Sequence, residues 1–484
     1  MKNNKRQTPA IISFSSLPLP VIELDQQLRN YYDLKKTLIA ICLICVWIFA
    51  SPSICQAQDS RQESSIRVTP AVTRLLIDSL QQSLYRNYIY PDTAAKMIRY
   101  VEAEFKKGAY AAISDPQTLA IQLQQDLQKA HRDGHFRIIF DPRFDREQSD
   151  TVGRAARQKQ GDSMNLVRSL EDNFTFREIK ILEGNIGYLL FNGFSGFVNE
   201  ARPTITAAFR FLSNTKGLII DMRSNSGGSP QMVTQIESYF FPEKTHLNDI
   251  VNRLEGKTDE HWTDPAKADG LILKMPIYIL TSRRTYSAAE DFTYGMQSVK
   301  RAIIVGERTG GGAHPARPFS LGQGFIAFIP FARSLNPYTH TDWEGTGVVP
   351  DIPVAANKAI EAARLAILTE RLNKASSDVD KRSAQWEINE MLANQTEVIK
   401  DSASLSSYTG TYQGGLVFYV NQSGLYCRNA EVGNRVFKLT FISGNRFILD
   451  ENVQVEFVKD NQGKFSSIKM WWRDGRVSDK SKVE

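Results

Sequence analysis

The sequence predicts an α/β protein in which a mostly parallel sheet, between about Lys180 and Pro353, follows a small helical domain and precedes a small β domain. Three observations carry this. Strand-like apolar runs alternate with helix-like segments through the centre of the chain. Before it, leucines recur every three or four residues. After it come short aromatic and β-branched runs separated by Gly and Asn. The 484 residues, 42% hydrophobic and 23% charged, can bury a substantial core.

The first segment, residues 1–57, reads as a leader. Lys35 and Lys36 precede an apolar run from Leu38 to Ala50, followed by Ser51-Pro52 and Cys55-Gln56-Ala57. A basic flank, an apolar stretch and a small-residue exit are the three parts of a signal peptide. The run is shorter than the roughly 20 residues of a spanning helix, so a periplasmic or secreted protein with no stable membrane span after cleavage is expected. Cys42, Cys45 and Cys55 lie in the leader, which leaves Cys427 and no intramolecular disulfide. Ile54 stands where bacterial lipidation of Cys55 would want a small residue.

Residues 68–140 form the helical domain, with Leu75, Leu76, Leu80 and Leu84, then Met97, Val101 and Phe105, then Leu119, Leu123 and Leu127 at helical spacing. Residues 141–178, charged and weakly periodic from Pro142 to Glu171, read as a linker or mobile loop. In 179–356, strands at 186–191, 217–222, 277–281 and 302–305 alternate with helices at 203–212, 230–240 and 287–299. Active sites in such sheets gather at the carboxyl ends of the strands. A helical connector, 357–400, leads to the β domain, 401–484, with strands expected at 416–420, 437–441, 446–449, 453–458 and 467–472. The net charge of +6 is small for this length, and no basic run interleaves with aromatics, so nucleic acid is not an expected partner.

Ser287 follows one buried strand and opens a helix, at the positive end of its dipole and beside free backbone N–H groups that can hold an oxyanion. An ordinary N-cap serine is the plainer account. Gly227 and Gly228, in Asp221-Met-Arg-Ser-Asn-Ser-Gly-Gly228, end a strand-to-helix turn where missing Cβ atoms expose N–H groups, which suits the second half of an oxyanion hole. The Gly-Lys-Ser/Thr of a phosphate loop is missing. A base is needed, and His135, in Asp133-Gly-His135, and His314, in Gly310-Gly-Gly-Ala-His314, both have the setting; sequence order alone does not rank them. Glu344 and Glu290 are the candidate orienting carboxylates, although acid at a helix N-terminus accounts for Glu290 without catalysis. No metal spacing, nucleotide loop or cofactor lysine is present, which predicts hydrolysis without a cofactor.

Together these pieces resemble the S41, or tail-specific, serine peptidases, and within them the branch of tricorn protease and the interphotoreceptor retinoid-binding protein repeats. The matching segments stand in family order: Asp133-Gly-His135, Asp221 to Gly228, Thr285-Tyr-Ser-Ala-Ala-Glu290, Gly306-Glu-Arg-Thr-Gly-Gly-Gly-Ala313 and Glu344-Gly-Thr-Gly-Val-Val-Pro-Asp351. The resemblance spans roughly Val68 to Pro353. It implies a ClpP/crotonase-like catalytic domain and hydrolysis of a peptide or protein substrate through an acyl-enzyme. Ser287 would attack, His135 take its proton and Glu344 support the base. N–H groups of Ala288 and of Gly227 or Gly228, with Gly227 slightly ahead, would hold the oxyanion, leaving Glu290 and His314 as accessory candidates.

Two departures shape that expectation. The carboxyl-terminal processing branch uses a lysine downstream of the serine, and no lysine occurs between Lys300 and Lys358. Tricorn-like enzymes place a serine before the histidine, where this chain has Gly134, so Glu344 must reach His135 directly or through water. The segment after Pro142 is too short for a PDZ domain. The rival functions are a non-catalytic binder of an apolar ligand or peptide on the same fold, and an esterase or amidase acting on small substrates. No feature reports an oligomeric interface.

Overall fold

A computed structural model describes residues 67–149, 153–395, 402–421, 424–430 and 433–483; the leader reading, with Cys42, Cys45 and Cys55, falls outside the described residues. The chain opens with α1 (Pro70–Asn87), α2 (Pro91–Lys106) and α3 (Pro116–Ala130). Each starts with a proline in its first turn, where a missing N–H leaves nothing unpaired. Thr69 and Asp115 cap α1 and α3 by accepting Val72 N–H and Thr118 N–H. Leu76, Leu80, Leu84, Met97, Val101, Leu119, Leu123 and Leu127 share one core, whereas Leu75 points to solvent.

β1 (Arg137–Phe140) is followed by α4 (Pro142–Ser149) and α5 (Arg154–Glu171). The stretch expected to be a loop is therefore helical. Helix formers such as Arg, Gln, Lys and Leu dominate α5, while Met164, Val167 and Leu170 are exposed, so the helix buries little and shows no core-facing stripe.

The central region runs through β2 (Phe176–Leu182), β3 (Ile186–Phe191), α6 (Val198–Leu212), β4 (Gly217–Asp221), α7 (Pro230–Glu237), β5 (His246–Asn252), β6 (Lys257–Trp262), β7 (Ile277–Thr281), α8 (Ala288–Ser298), β8 (Ala302–Gly306), β9 (Ala316–Gly322), β10 (Phe325–Pro330), β11 (Ala332–Leu335) and β12 (Ile352–Pro353). Six strands form the main sheet in the order β12-β8-β7-β4-β3-β2, all parallel except β2. Every residue of β4 and β7 is buried, as expected where helices cover both faces of a parallel sheet.

One face packs Ile205, Phe209, Ile236, Phe292 and Met296 from α6, α7 and α8. The other receives Ala363, Ile367, Leu368 and Met391 from α9 (Ala359–Lys374) and α10 (Asp378–Gln395), against Ile219, Tyr278 and Leu280. The segment read as a connector is thus the second cover of the sheet. Each large apolar side chain buried there contributes about 1.5–3 kcal/mol. Gly217 permits the contact, since a Cβ there would lie 2.7 Å from Ile367 Cγ2.

The helical region closes its core with residues from far along the chain. β1 pairs antiparallel with β10, Ile138 opposite Ala327, and Leu321, Phe325, Ala327 and Ile329 enter the same core as the α1 and α3 leucines. This union holds the turn before β1, and His135 with it, against the central region.

The C-terminal domain adds α11 (Ser402–Ser406) and two antiparallel sheets. The first holds β13 (Gly410–Tyr412), β14 (Leu416–Asn421), β15 (Gly424–Asn429) and β16 (Arg435–Lys438); the second holds β17 (Thr440–Ser443), β18 (Arg446–Asp450), β19 (Val453–Lys459), β20 (Phe465–Trp472) and β21 (Val477–Ser481). Phe418, Phe447, Phe457 and Ile468 fill their core. The run 437–441, read as one strand, is divided at Leu439, whose side chain turns into the core while the chain passes from one sheet to the other.

Candidate active site

The loops after β4 and β7 are stitched together at the carboxyl end of the sheet. Met222 N–H donates to Leu280 O (2.9 Å) and Tyr286 N–H to Asn225 O (3.1 Å). Ser282 Oγ–H donates to Arg223 O (2.6 Å), and Thr285 Oγ1–H to Met222 O (2.8 Å). Ser287 sits where this platform turns into α8, with φ 56° and ψ −123°. A residue with a Cβ seldom adopts that backbone, so the surrounding contacts hold the strain. The result is a sharp turn that carries Oγ outward beside the first N–H groups of the helix.

Glu290 supplies much of that restraint. Its buried carboxylate accepts Ser287 N–H (2.9 Å), Gly311 N–H (2.7 Å), Gly312 N–H (2.8 Å) and Thr309 Oγ1–H (2.5 Å). Burial nonetheless pushes its pKa up to about 7, against those four donors. It ties the Ser287 backbone to the 309–312 loop, and among the described residues it has no hydrogen bond to a histidine.

The candidate oxyanion donors lie on two loops. Ala288 N–H, in the first turn of α8, makes no backbone or side-chain hydrogen bond among the described residues. Gly227, slightly preferred from sequence, is occupied: its N–H donates to Asn225 Oδ1 at 2.9 Å. Gly228 N–H, the other candidate, has no protein acceptor among the described residues. Gly228 has φ +141°, and a Cβ there would meet Phe194 O at 2.1 Å, which excludes a side chain.

The two histidines separate here. His135 Nε2 lies 3.1 Å from Ser287 Oγ. Its backbone N–H donates to Asp133 Oδ1 (3.1 Å), and the Tyr286 ring lies against the imidazole with centroids 4.9 Å apart. Burial pushes the His135 pKa down to about 4, which keeps the ring neutral and able to accept a proton. Its Nδ1 is buried without a partner.

His314 lies behind, with Nδ1 2.9 Å from Asp133 Oδ2 and 3.6 Å from Glu344 Oε2. Burial works against its charge, but the Asp133 hydrogen bond and the field of Glu344 hold its pKa above the ordinary value. Asp133, wholly buried, also accepts Tyr88 O–H at 2.9 Å. Burial opposes its charge too; His314, His135 N–H and Tyr88 together hold its carboxyl below the usual range.

Glu344 Oε2 accepts Ala313 N–H (2.5 Å), while Oε1 receives only a long bond from Gly134 N–H (3.4 Å). Burial raises its pKa, with His314 pulling the other way. It makes no hydrogen bond to His135, although its carboxylate, a His135 ring nitrogen and an Asp133 oxygen all lie within 4.8 Å of one another. Those three could offer ligands to a cation, but Asp133 is filled by three donors and the raised-pKa His314 beside it disfavours positive charge. Sequence reasoning assigned no role to Asp133, Asn225 or Tyr286, although all three stand inside or next to the motifs it quoted.

Two family models fit the chain: peptidase family S41 over residues 185–354, and the N-terminal domain of Peptidase_S41 in eukaryotic IRBP over 64–176. Both models describe parts of S41 peptidases, and this chain is similar to them over those residues. The N-terminal match takes in α4 and α5. The chain is 30% identical over 173 residues to a chloroplastic carboxyl-terminal-processing peptidase 2 of Arabidopsis thaliana, covering 35% of this chain and 32% of the relative. It is 30% identical over 169 residues to a carboxyl-terminal-processing protease of Synechocystis, covering 34% and 37%. The chain therefore matches about a third of the length of these curated relatives. A solved putative peptidase from Parabacteroides merdae superposes with TM-score 0.47 and 21% identity, over 64% of this chain and all of that one.

Proposed function

We propose that the chain is an exported serine peptidase that hydrolyses peptide or protein substrates through an acyl-enzyme on Ser287. The observation that carries this is the 3.1 Å approach of His135 Nε2 to Ser287 Oγ at a strained turn, beside two unengaged N–H groups. His135 takes the Ser287 hydroxyl proton as Oγ bonds to the scissile carbonyl carbon, and the carbonyl oxygen becomes an oxyanion held by Gly228 and Ala288 N–H. The C–N bond then breaks, and the leaving amine carries off the proton from His135 Nε2. Water repeats the sequence: His135 accepts its proton, and collapse of the second intermediate frees the acid and returns the proton to Ser287. His314 and Asp133 form a buried pair behind the base and take no part in proton transfer.

The S41 similarity and the carboxyl-terminal-processing relatives support peptide bonds as the substrate class, and the 35–57 segment supports export. The test labels the protein with a fluorophosphonate probe, then digests casein and a peptide library. Labelling and cleavage should both vanish in Ser287→Ala, with loss of activity on the order of 10⁴-fold or more. Labelling without cleavage would redirect the reading to an esterase, and neither would leave the binding-protein reading.

A further inference from the structure

Three polar groups that the proposed chemistry leaves incomplete converge around Gly134. For Nε2 to accept the serine proton, His135 must carry its own proton on Nδ1, and Nδ1 is buried with no partner among the described residues. The Tyr286 hydroxyl is also buried with no partner among them. Among the described residues Glu344 Oε1 accepts only the 3.4 Å bond from Gly134 N–H. Buried donors and acceptors are rarely left unpaired.

The backbone has been cleared for that hydroxyl. A Cβ on Gly134 would stand 2.1 Å from Tyr286 Oη, and a Cβ on Gly312 would stand 2.4 Å from it. The phenol oxygen is thus slotted between two glycines, one adjoining His135 in sequence and the other held by Glu290. Its ring lies against the His135 imidazole at 4.9 Å with an interplanar angle of 34°. A tyrosine chosen for apolar packing alone would gain nothing from placing its hydroxyl there.

We propose that Tyr286 is a positioning residue: its hydroxyl, through a single shared water, links His135 Nδ1–H to the Glu344 carboxylate. A site lined by Nδ1–H, the phenol and a carboxylate oxygen offers the two to four polar partners that a buried water takes. The link fixes the tautomer that leaves Nε2 free for Ser287, and it passes the negative charge of Glu344 to the imidazolium formed on attack. Gly134 is then a requirement of the device, because any side chain there displaces the phenol. This inference rests on the peptidase reading of Ser287 and His135.

The experiment compares wild type, Tyr286→Phe, Glu344→Gln and the double variant in the rate at which a fluorophosphonate phosphonylates Ser287, alongside the His135 ¹⁵N tautomer spectrum and thermal melting. Losing a hydrogen bond to a charged group should slow phosphonylation by about 10–100-fold in each single variant. The double variant should be no slower than the slower single, because both changes cut one link. In Tyr286→Phe the His135 spectrum should shift from the Nδ1–H form toward a tautomer mixture while the melting temperature stays close to wild type. Wild-type phosphonylation in Tyr286→Phe, or losses that multiply in the double variant, would overturn the link. If wild type does not label, the peptidase reading falls, and the spectrum still decides: an unchanged His135 tautomer in Tyr286→Phe overturns this proposal by itself. Should Tyr286→Phe fail to fold, Gly134→Ala, which displaces the phenol from the other side, takes its place in the same comparison.

Discussion

His135 Nε2 and Ser287 Oγ meet at 3.1 Å across 152 residues of chain. The contact exists because β1, two residues beyond His135, is bound into a sheet with β10. His135 is thereby held by a strand of the region that carries Ser287, and the helical domain cannot part from that region without breaking the sheet.

Burial sets the pH at which this pair works. The His135 pKa is pushed down to about 4, so the neutral base persists well below the ordinary histidine value of about 6.5. The acid limb of phosphonylation by a fluorophosphonate probe should therefore lie near pH 4, with the rate nearly flat from pH 6 to 8. The same shift bears on stability in the opposite sense: protons bind the unfolded chain first, so the neutral buried ring costs stability as pH falls below about 6.5. Rates measured across pH 3.5–8 decide the matter, and a limb centred at 6.5 would show that the ring is solvated.

The Asp133–His314 pair should matter for folding before it matters for chemistry. Removing one partner of a buried pair strands the other, at a cost of about 3–5 kcal/mol. His314→Ala leaves the Asp133 carboxyl with Tyr88 and one backbone N–H, so its urea midpoint should drop sharply at pH 6. Because the folded His314 pKa is raised, its contribution is full below the unfolded value of about 6.5 and fades as pH climbs through the folded value. The wild-type advantage over His314→Ala should accordingly shrink at alkaline pH; an advantage that grew there would refute the pairing.

Much of this was legible beforehand, and the gaps have physical causes. Buried strands such as Gly217–Asp221 and Ile277–Thr281 announce themselves as short continuous apolar runs, and Ser287 and the glycine pair stand at their ends. Which histidine meets Ser287 was not legible from residue type, because His135 and His314 have similar local settings and the β1–β10 pairing brings His135 to it. Gly227 and Gly228 look alike in sequence; the Asn225 side chain, folding back on Gly227 N–H, tells them apart. Helix α5 escaped notice because it buries too little to show a periodic apolar face. The role of Glu290 follows from a loop more than 20 residues downstream closing over it.

Under α8 lies a second carboxyl group pair, Glu237 and Asp291. Both are buried; desolvation pushes the Asp291 pKa up to about 7 against a hydrogen bond from Asn248, and desolvation together with the charge of Asp291 pushes Glu237 well above its ordinary value. Acids with raised folded values favour the protonated fold, so their contribution is greatest at acid pH. Stability is lost as pH rises from the unfolded value of about 4 through the folded one. Asp291→Asn, which can keep a hydrogen bond to Asn248, should weaken that dependence and raise stability at pH 8 relative to wild type. Urea midpoints at pH 5 and pH 8 check it; equal slopes in the two proteins would mean that Asp291 is ionised in the fold.

Asn225 offers the sharpest test of which glycine serves the oxyanion. Its buried amide bridges two backbones, accepting Gly227 N–H at 2.9 Å and donating to Phe191 O at 3.1 Å. By engaging Gly227 it leaves Gly228 N–H and Ala288 N–H as groups without a protein acceptor among the described residues. Asn225→Ala frees Gly227, removes the side-chain donor to Phe191 O and lets the turn relax. An oxyanion donor acts on the transition state more than on the bound substrate, so kcat should fall by about 10²-fold, the low end for losing such a donor, while KM stays nearly constant. If instead Gly227 were the donor, releasing it from Asn225 would leave kcat unchanged or raise it, and the assignment to Gly228 would fail.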